Sequence, residues 1–337
     1  MLVARLCQVT ITPALRSSLL QVNSVSKPSQ LRHVIRRNFA DDGRQAWTRT
    51  SRRRSIKEIA MQPTRGMPFE IGSAAVAGGA VFGLGALCYY GLGMSKKAGI
   101  VDQAILWPQY VKDRVKATYM YFGGSILFTA ASAVAVFRSP VMLNLMAKNS
   151  FLAIAASMAA MIGANAVCRG IPYQPGFGAK QMAWIVHSSV VGAVLAPICL
   201  MGGPLLLRAA WLTAGVVGGL SAVAVCAPSD KFLMMGGPLA IGLGAVFASS
   251  IGSAFLPPTT MLGAGLYSIS IYGGLLLFSG FLLYDTQRIV RAAEVYPEYS
   301  LQPFDPVNAS ISIYLDTINI FIRIATILAN GGGNKKR

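Results

Sequence analysis

The sequence predicts an all-α membrane protein, a polytopic helical bundle of about eight transmembrane helices. Hydrophobic residues make up 54% of the 337 positions and charged residues only 12%, whereas soluble domains typically contain roughly 25% charged residues. After Glu70 the chain supplies a series of apolar runs, each about as long as the ~20 residues that a helix needs to cross a bilayer. These runs lie near 71–93, 116–137, 148–168, 181–200, 205–226, 236–256, 262–284 and 310–329.

Proline, glycine and charged residues separate these runs, as is typical of turns between helices. Examples are Arg138-Ser139-Pro140, Gly202-Gly203-Pro204 and the Pro257-Pro258 pair. Most of the loops are very short. We therefore expect any activity to lie among the helices or in the loop from Arg291 to Val307.

The first 40 residues have the composition of a mitochondrial transit peptide. They contain six Lys or Arg residues and many Ser and Thr, and no acidic residue precedes Asp41. Arg37 lies three residues before the bond between Phe39 and Ala40, and an aromatic residue lies just before that bond. The pattern predicts a transit peptide over 1–39 that is cleaved between Phe39 and Ala40. A disordered basic tail of a cytosolic protein is the alternative.

The net charge of +18 comes mainly from the amino-terminal part of the chain. Up to Arg65 there are 13 Lys and Arg residues but only three acidic ones. The later basic residues lie mostly between apolar runs and are not interleaved with stacking aromatics, which argues against nucleic acid as a partner. We expect a basic linker over 40–70, a first transmembrane helix over 71–93 and a basic tail over 331–337. The five cysteines are far apart and lack CxxC spacing, which argues against a disulfide framework or a zinc site.

The orientation in the membrane stays open on sequence grounds. With eight spanning helices, the positive-inside rule places the larger set of basic loops in the matrix and the mature amino terminus outside it. Import with the basic segment leading predicts the opposite orientation. The sequence also does not decide whether the last apolar segment spans the membrane or re-enters it.

The last apolar run carries a stripe of polar residues on one helical face. Its members follow one another at steps of three or four residues, the spacing of one face of an α-helix: Ser312, Asp316, Asn319, Arg323, Thr326 and Asn330. The rest of this run is apolar. The stripe should therefore face the bundle interior or an aqueous path rather than lipid.

Asp285 and Asp316 are the two acidic residues expected inside the membrane. They lie on consecutive apolar runs, so an antiparallel hairpin of those helices places both carboxylates in the same half of the membrane. Two carboxylates in a poorly solvated pocket cannot both ionise cheaply, so they should share a proton, which calcium can replace. The alternative is that Asp316 pairs with Arg323 or Asn319, and Asp285 with Arg288, as helix-stabilising contacts.

Three further residues carry separate expectations. Arg169, at the end of an apolar run, is a candidate counter-ion for the pair, although an interfacial arginine that extends toward water is the simpler interpretation. His187 is expected to be a hydrogen-bonded core histidine, with a proton relay as the second interpretation. Asp305 is expected in a loop where water screens its charge.

Two motifs resemble the Bax inhibitor-1 family of membrane proteins. They are Tyr284-Asp285-Thr286-Gln287 and the segment from Ser312 to Phe321, within a match over 107–330. The resemblance implies a bundle of seven helices, here with one extra amino-terminal helix. It also implies pH-dependent calcium passage with Asp285 and Asp316 as the pH-sensing pair and Arg169 as the arginine that engages them. With the presequence, the chain resembles the mitochondrial member of the family, which implies roles in cristae organisation, cytochrome c retention and apoptosis.

Two functions are carried forward. The first is a mitochondrial inner-membrane cation transporter, a calcium/proton exchanger or calcium leak, with calcium and protons as transported ions and no cofactor. The second is a non-transporting scaffold that maintains cristae through inner-membrane protein partners. An intramembrane aspartyl protease ranks well behind both, because no Gly-x-Gly-Asp surrounds Asp316 and no later Pro-Ala-Leu follows, so we expect no enzymatic activity. Oligomeric state, ion selectivity and direction do not follow from the sequence.

Overall fold

The computed structural model describes residues 60–63, 66–92, 94–95, 99–146, 151–228 and 230–332. The chain divides into two units, Met1–Pro63 and Thr64–Arg337, and everything below concerns the second. The predicted transit peptide, the predicted Phe39/Ala40 cleavage site and almost all of the expected linker and basic tail lie outside the described residues.

The described residues form an all-helical structure with eight helices long and apolar enough to cross a membrane, which confirms the predicted fold class. The helices, in chain order, are α1 (Met67–Gly91), α2 (Ile100–Ala104), α3 (Gln109–Arg138), α4 (Pro140–Met146), α5 (Phe151–Gly170), α6 (Ala179–Leu195), α7 (Gly203–Cys226), α8 (Gly236–Phe255), α9 (Met261–Ser268), α10 (Gly274–Val295) and α11 (Pro306–Gly332). A π-helical segment, Ile269–Gly273, joins α9 to α10 so that they form one continuous span. The short helices α2 and α4 lie between spans.

The last helix, α11, lies at the centre of the bundle. It packs against α3, α7 and α10, and it is the most buried of the eight spans. Its apolar side chains Ile313, Ile320 and Ile324 join Leu275, Leu282 and Ile289 of α10 and Ala209 of α7 in one core cluster. At 27 residues, α11 is also long enough to span a membrane.

The first helix packs on the outside of the bundle, against α7, α9 and the π-helical segment. Gly72 lies so close to the ring of Tyr272 and to Ser268 that a Cβ at this position would clash with both. The hydroxyl of Ser268 donates a hydrogen bond to the carbonyl of Pro68, 2.6 Å away. Most of α1 remains exposed, as expected for a helix that faces lipid.

The apolar runs place the helices correctly but misjudge several of their ends. The run expected near 116–137 begins at Gln109 as α3, the run expected near 262–284 continues as α10 to Val295, and α11 begins at Pro306, four residues before the expected start. The extension of α10 is stabilised by one buried face, on which Ile289, Val290 and Ala293 lie. The opposite face of this part of α10 carries polar residues, so hydropathy alone underestimates the length of the helix.

Candidate ion site

The structure brings Asp285 of α10 and Asp316 of α11 together inside the bundle. Each side chain belongs to a residue that is nearly inaccessible, with 4% of Asp285 and 6% of Asp316 exposed. Their carboxyl groups are close enough to interact directly, and the side chain of Ser312 lies next to Asp285. The hairpin of consecutive helices predicted from the sequence therefore forms a carboxylate pair.

The pair lies at the same depth on both helices. Asp285 is ten residues before the end of α10, and Asp316 is ten residues after the start of α11. At a rise of about 1.5 Å per residue, both lie ~15 Å from the loop that joins the helices.

Arg288 is the cation in contact with this pair. Its Nη1 lies 3.4 Å from Oδ1 of Asp285, one turn along α10. The Arg288 side chain is 55% exposed, so the contact is screened and worth little. Oδ2 of Asp316 is buried and has no hydrogen-bond partner among the described residues, which leaves one carboxylate oxygen open to a proton or a cation.

The other candidate partners of the pair are engaged elsewhere. Arg169 is exposed and donates from Nε to Oδ1 of Asn165, 2.9 Å away, although its charge acts on Asp285 at longer range. Arg323 donates to the carbonyl and side-chain oxygens of Asn319 and not to Asp316. The alternative pairing of Asp316 with Arg323 or Asn319 is therefore wrong, whereas the contact of Asp285 with Arg288 is present.

Arg323 is held by backbone oxygens and an aromatic ring. Its Nε donates to the carbonyl of Ser270 in the π-helical segment, 3.2 Å away, and its guanidinium lies 4.5 Å from the ring centre of Phe278. Gly274 leaves the space for this group, since a Cβ there would collide with the guanidinium. The polar stripe of α11 thus contains two environments, an anionic one at Asp316 and a cationic one about two turns away.

The motif around Asp285 also contains a structural residue. Gln287 is fully buried, its Oε1 accepts from the backbone N–H of Phe232, and its Nε2 donates to the carbonyls of Ala224 and Pro228. These bonds attach the loop between α7 and α8 to α10. Thr286 donates to the carbonyl of Leu282. Within the motif, Asp285 belongs to the carboxylate pair, whereas Thr286 and Gln287 bond to backbone groups.

Lys180 and Asp305 form a second buried charged group that the sequence analysis missed. Nζ of Lys180 lies 2.8 Å from Oδ2 of Asp305, and the Lys180 side chain is 1% exposed. The same ammonium donates to the carbonyls of Cys168 and Ile171 and to Oδ1 of Asn308. Asp305 lies in the loop between α10 and α11, as expected, but its carboxylate is only 22% exposed and pairs with a buried ammonium, so water alone does not screen its charge.

Asp305 in turn caps α11, since its Oδ1 accepts from the backbone N–H of Asn308 at 2.9 Å. A carboxylate at a helix N-terminus satisfies a free backbone donor and complements the helix dipole. The sequence signal for this role was the Asp-Pro dipeptide just before the last apolar run, because Pro is common in the first turn of a helix. Lys180 carried no comparable signal.

Calcium has no preformed cage at the pair. Among the described residues there is no group of three or more His, Cys, Asp or Glu side chains arranged to hold a metal ion. A cation at Asp285 and Asp316 would complete its coordination with hydroxyl or carbonyl oxygens and water, as calcium readily does.

Comparison with known proteins agrees with the two motifs. The profile of the family described as "Inhibitor of apoptosis-promoting Bax1" matches residues 111–333. Growth hormone-inducible transmembrane protein of Rattus norvegicus is 54% identical over 324 residues, which cover 95% of this chain and 93% of that protein. Bax inhibitor 1 of the same organism is 30% identical over 141 residues, 42% of this chain and 55% of its own length.

A bacterial relative shows how far the similarity extends. An uncharacterized protein of Helicobacter pylori is 28% identical over 236 residues, 67% of this chain and 90% of its own length. The family match begins at Val111, in α3, and so leaves α1 outside it. From α3 to α11, and with both aspartates inside the matched region, the chain belongs to the Bax inhibitor-1 family.

Proposed function

We propose that this protein transports calcium across the mitochondrial inner membrane in exchange for protons, with Asp285 and Asp316 as the transport site. The observation that carries the proposal is the pair of adjacent, buried carboxyl groups on two helices that are long and apolar enough to span a membrane. Ionisable groups buried inside a membrane-spanning bundle are costly and are retained mainly for function.

The chemistry follows from the charge of the pair. Two adjacent carboxylates that cannot both ionise in a poorly solvated place hold a proton between them. A calcium ion neutralises both carboxylates at once, so its arrival makes the proton unnecessary and releases it. Loss of calcium toward the other side restores the need for a proton. Because α10 and α11 carry one carboxylate each, a small change in their separation alters the affinity for the ion.

A calcium leak and a calcium/proton exchanger would use the same site and differ in whether calcium movement is coupled to proton movement. In an exchanger each calcium ion moves against protons, so that a proton gradient alone drives calcium uptake. In a leak, calcium follows its own gradient and pH only sets how open the path is. Counter-flow of protons during calcium uptake therefore separates the two.

The scaffolding alternative rests on the contact between Arg288 and Asp285. If this contact and the proximity of Asp316 only brace α10 against α11, the protein maintains cristae and retains cytochrome c without carrying ions. The central position of α11 among α3, α7 and α10 fits a rigid structural role as well. In that case the aspartates contribute to stability alone.

The mitochondrial location is supported by the composition of the first 40 residues, which contain six basic residues and no acidic residue. Import into isolated mitochondria followed by amino-terminal sequencing tests it. We expect a mature chain that starts at Ala40. An intact Met1, or a start upstream of Arg32, would contradict the transit-peptide assignment.

Calcium flux in liposomes that contain the purified protein tests the transport site. We expect Asp285→Asn and Asp316→Asn to lose calcium flux while the protein remains folded. Asp113→Asn is the matched control. Asp113 is an exposed carboxylate near the start of α3, and it accepts a hydrogen bond from the side chain of Gln109, one turn earlier. Absence of flux from the unmodified protein under every imposed pH gradient would favour the scaffold.

A further inference from the structure

His187 of α6 is buried in the bundle without the hydrogen bonds that a core histidine normally makes. Only 2% of the residue is exposed, and neither ring nitrogen has a hydrogen-bond partner among the described residues. The hydroxyl of the next residue, Ser188, is fully buried and also unpartnered in the described part of the chain. The expectation of a hydrogen-bonded core histidine is therefore wrong as far as protein partners are concerned.

Three other buried side chains of α6, those of Lys180, Gln181 and Trp184, have hydrogen-bond partners, unlike His187 and Ser188. Trp184, one turn earlier, donates from its ring nitrogen to the hydroxyl of Ser125 at 2.7 Å. Gln181 and Lys180 bond to oxygen atoms of other segments. Of the four buried side-chain atoms that lack a partner in the described residues, three belong to His187 and Ser188, and the fourth is in the aspartate pair.

The surroundings of His187 are polar on the sides of α3 and α11. The ring of Tyr314 meets the imidazole edge to face, with 6.1 Å between ring centres. The Tyr314 and Thr129 hydroxyls are hydrogen-bonded to each other, and Thr129 also donates to the carbonyl of Ser188 at 3.1 Å. The charged group that acts on His187 from α5 is Arg169.

A neutral imidazole carries one donor and one acceptor. Leaving both unpaired inside a protein is costly, and natural proteins place an ordered water where buried polar groups lack protein partners. Water molecules can accept from one ring nitrogen, donate to the other and bond the Ser188 hydroxyl, with a separate water at each ring nitrogen because the two nitrogens point apart. No protein group described near His187 can do all three.

We propose that His187 and Ser188, beside the Thr129 and Tyr314 hydroxyls, form an internal water-binding site between α3, α6 and α11. The site is separate from the aspartate pair, because Tyr314 and Asp316 are two residues apart on α11 and so lie about 200° apart around that helix. The inference stands whether or not the protein transports calcium.

The test uses the full chain with nitrogen-15-labelled histidine in lipid bilayers and solid-state NMR. The chain contains two histidines, so His187→Gln leaves only the His33 signals and assigns those of His187. We expect magnetisation transfer from water protons to both ring nitrogens of His187, with shifts typical of hydrogen-bonded nitrogens. Transfer to neither nitrogen, together with shifts typical of free nitrogens, would overturn the proposal.

Thermal unfolding provides a second measurement that needs no assignment. In a hydrated site, His187→Leu removes the partners of the water and should lower the melting temperature by about 3 °C or more, whereas His187→Gln keeps a donor and an acceptor and should lose less. In a dry core, His187→Leu removes two unpaired polar atoms and should leave the melting temperature unchanged or raise it. A melting temperature that is unchanged or raised in His187→Leu would therefore reject the water site.

Discussion

The Asp285–Asp316 pair and the Lys180–Asp305 pair each contain a buried ionisable side chain, but they differ in the charge of the partner. Asp305 faces an ammonium whose side chain is 1% exposed, and that ammonium also bonds three further oxygens. Asp316 faces another carboxylate, and one of its oxygens has no partner among the described residues. The two aspartates, Asp305 and Asp316, are eleven positions apart and have partners of opposite charge.

The difference shows what makes a buried charge structural or functional. A pair of opposite charges that satisfies its hydrogen bonds holds three chain segments together and gains nothing from releasing a partner. A pair of like charges is stable only with a proton or a cation between them, so its occupancy must change with the concentration of either. Removing a charge from the first should affect folding, and from the second, ion passage.

The largest expected effect is on calcium flux in Asp316→Asn. The variant removes one of the two anionic charges that attract calcium, so we expect flux at the background level of protein-free liposomes. Its melting temperature should stay close to that of the unmodified protein, since Asn keeps the size of the side chain. Flux equal to that of Asp113→Asn would contradict the assignment.

The same variant should change the response to pH. In the proposed mechanism the unmodified site binds a proton between two carboxylates, so we expect calcium flux that rises with pH as this proton leaves. A single remaining carboxylate in Asp285→Asn or Asp316→Asn has no like-charged neighbour, so any residual flux should depend less steeply on pH. Identical pH profiles for the three proteins would eliminate the shared-proton mechanism.

The next effect is on stability in Asp305→Asn. This change leaves the buried Lys180 ammonium without an anion, and removal of one partner of a buried pair costs about 3 kcal/mol. Lys180→Met should cost less, because Asp305 is 22% exposed and water can solvate its carboxylate. Denaturant unfolding in detergent gives the free energy of unfolding of both variants. A larger loss in Lys180→Met than in Asp305→Asn would show that Asp305 needs its partner more than Lys180 does.

A smaller effect is expected at the cationic part of the α11 stripe. Gly274→Ala should destabilise the protein by about 1–3 kcal/mol, because the new methyl group collides with the Arg323 guanidinium. Gly273→Ala is the matched control, since a Cβ there meets Ile269 at an ordinary 3.5 Å. Equal melting temperatures for the two variants would mean that Arg323 can move aside freely.

The smallest effects should come from the two arginines near the pair. Arg288→Gln removes the cation at 3.4 Å from Asp285, but its exposure limits the loss of interaction. Arg169→Gln should change flux even less, because Arg169 bonds to Asn165 and acts on Asp285 only at longer range. A larger effect of Arg169→Gln on flux would indicate that Arg169 contacts the pair during transport.

The sequence by itself determined the helical membrane fold, because about 20 consecutive apolar residues can satisfy their backbone in a bilayer only as a helix. It also determined the polar stripe of α11 and the hairpin that joins Asp285 to Asp316, since helical periodicity and a short loop are local properties. The Bax inhibitor-1 motifs lie in these two helices, and the family was recognisable from them.

The tertiary structure alone decided which charges meet. Lys180 and Asp305 are 125 positions apart, and the contact of Arg323 with Ser270 and the lack of protein partners at His187 depend equally on segments far apart in the chain. Spacing along one helix fixes the face on which a side chain lies but not what the neighbouring helix presents to it. For this reason the pattern predicted a single polar stripe, whereas packing divided it into a carboxylate pair and a separate cation held by backbone oxygens.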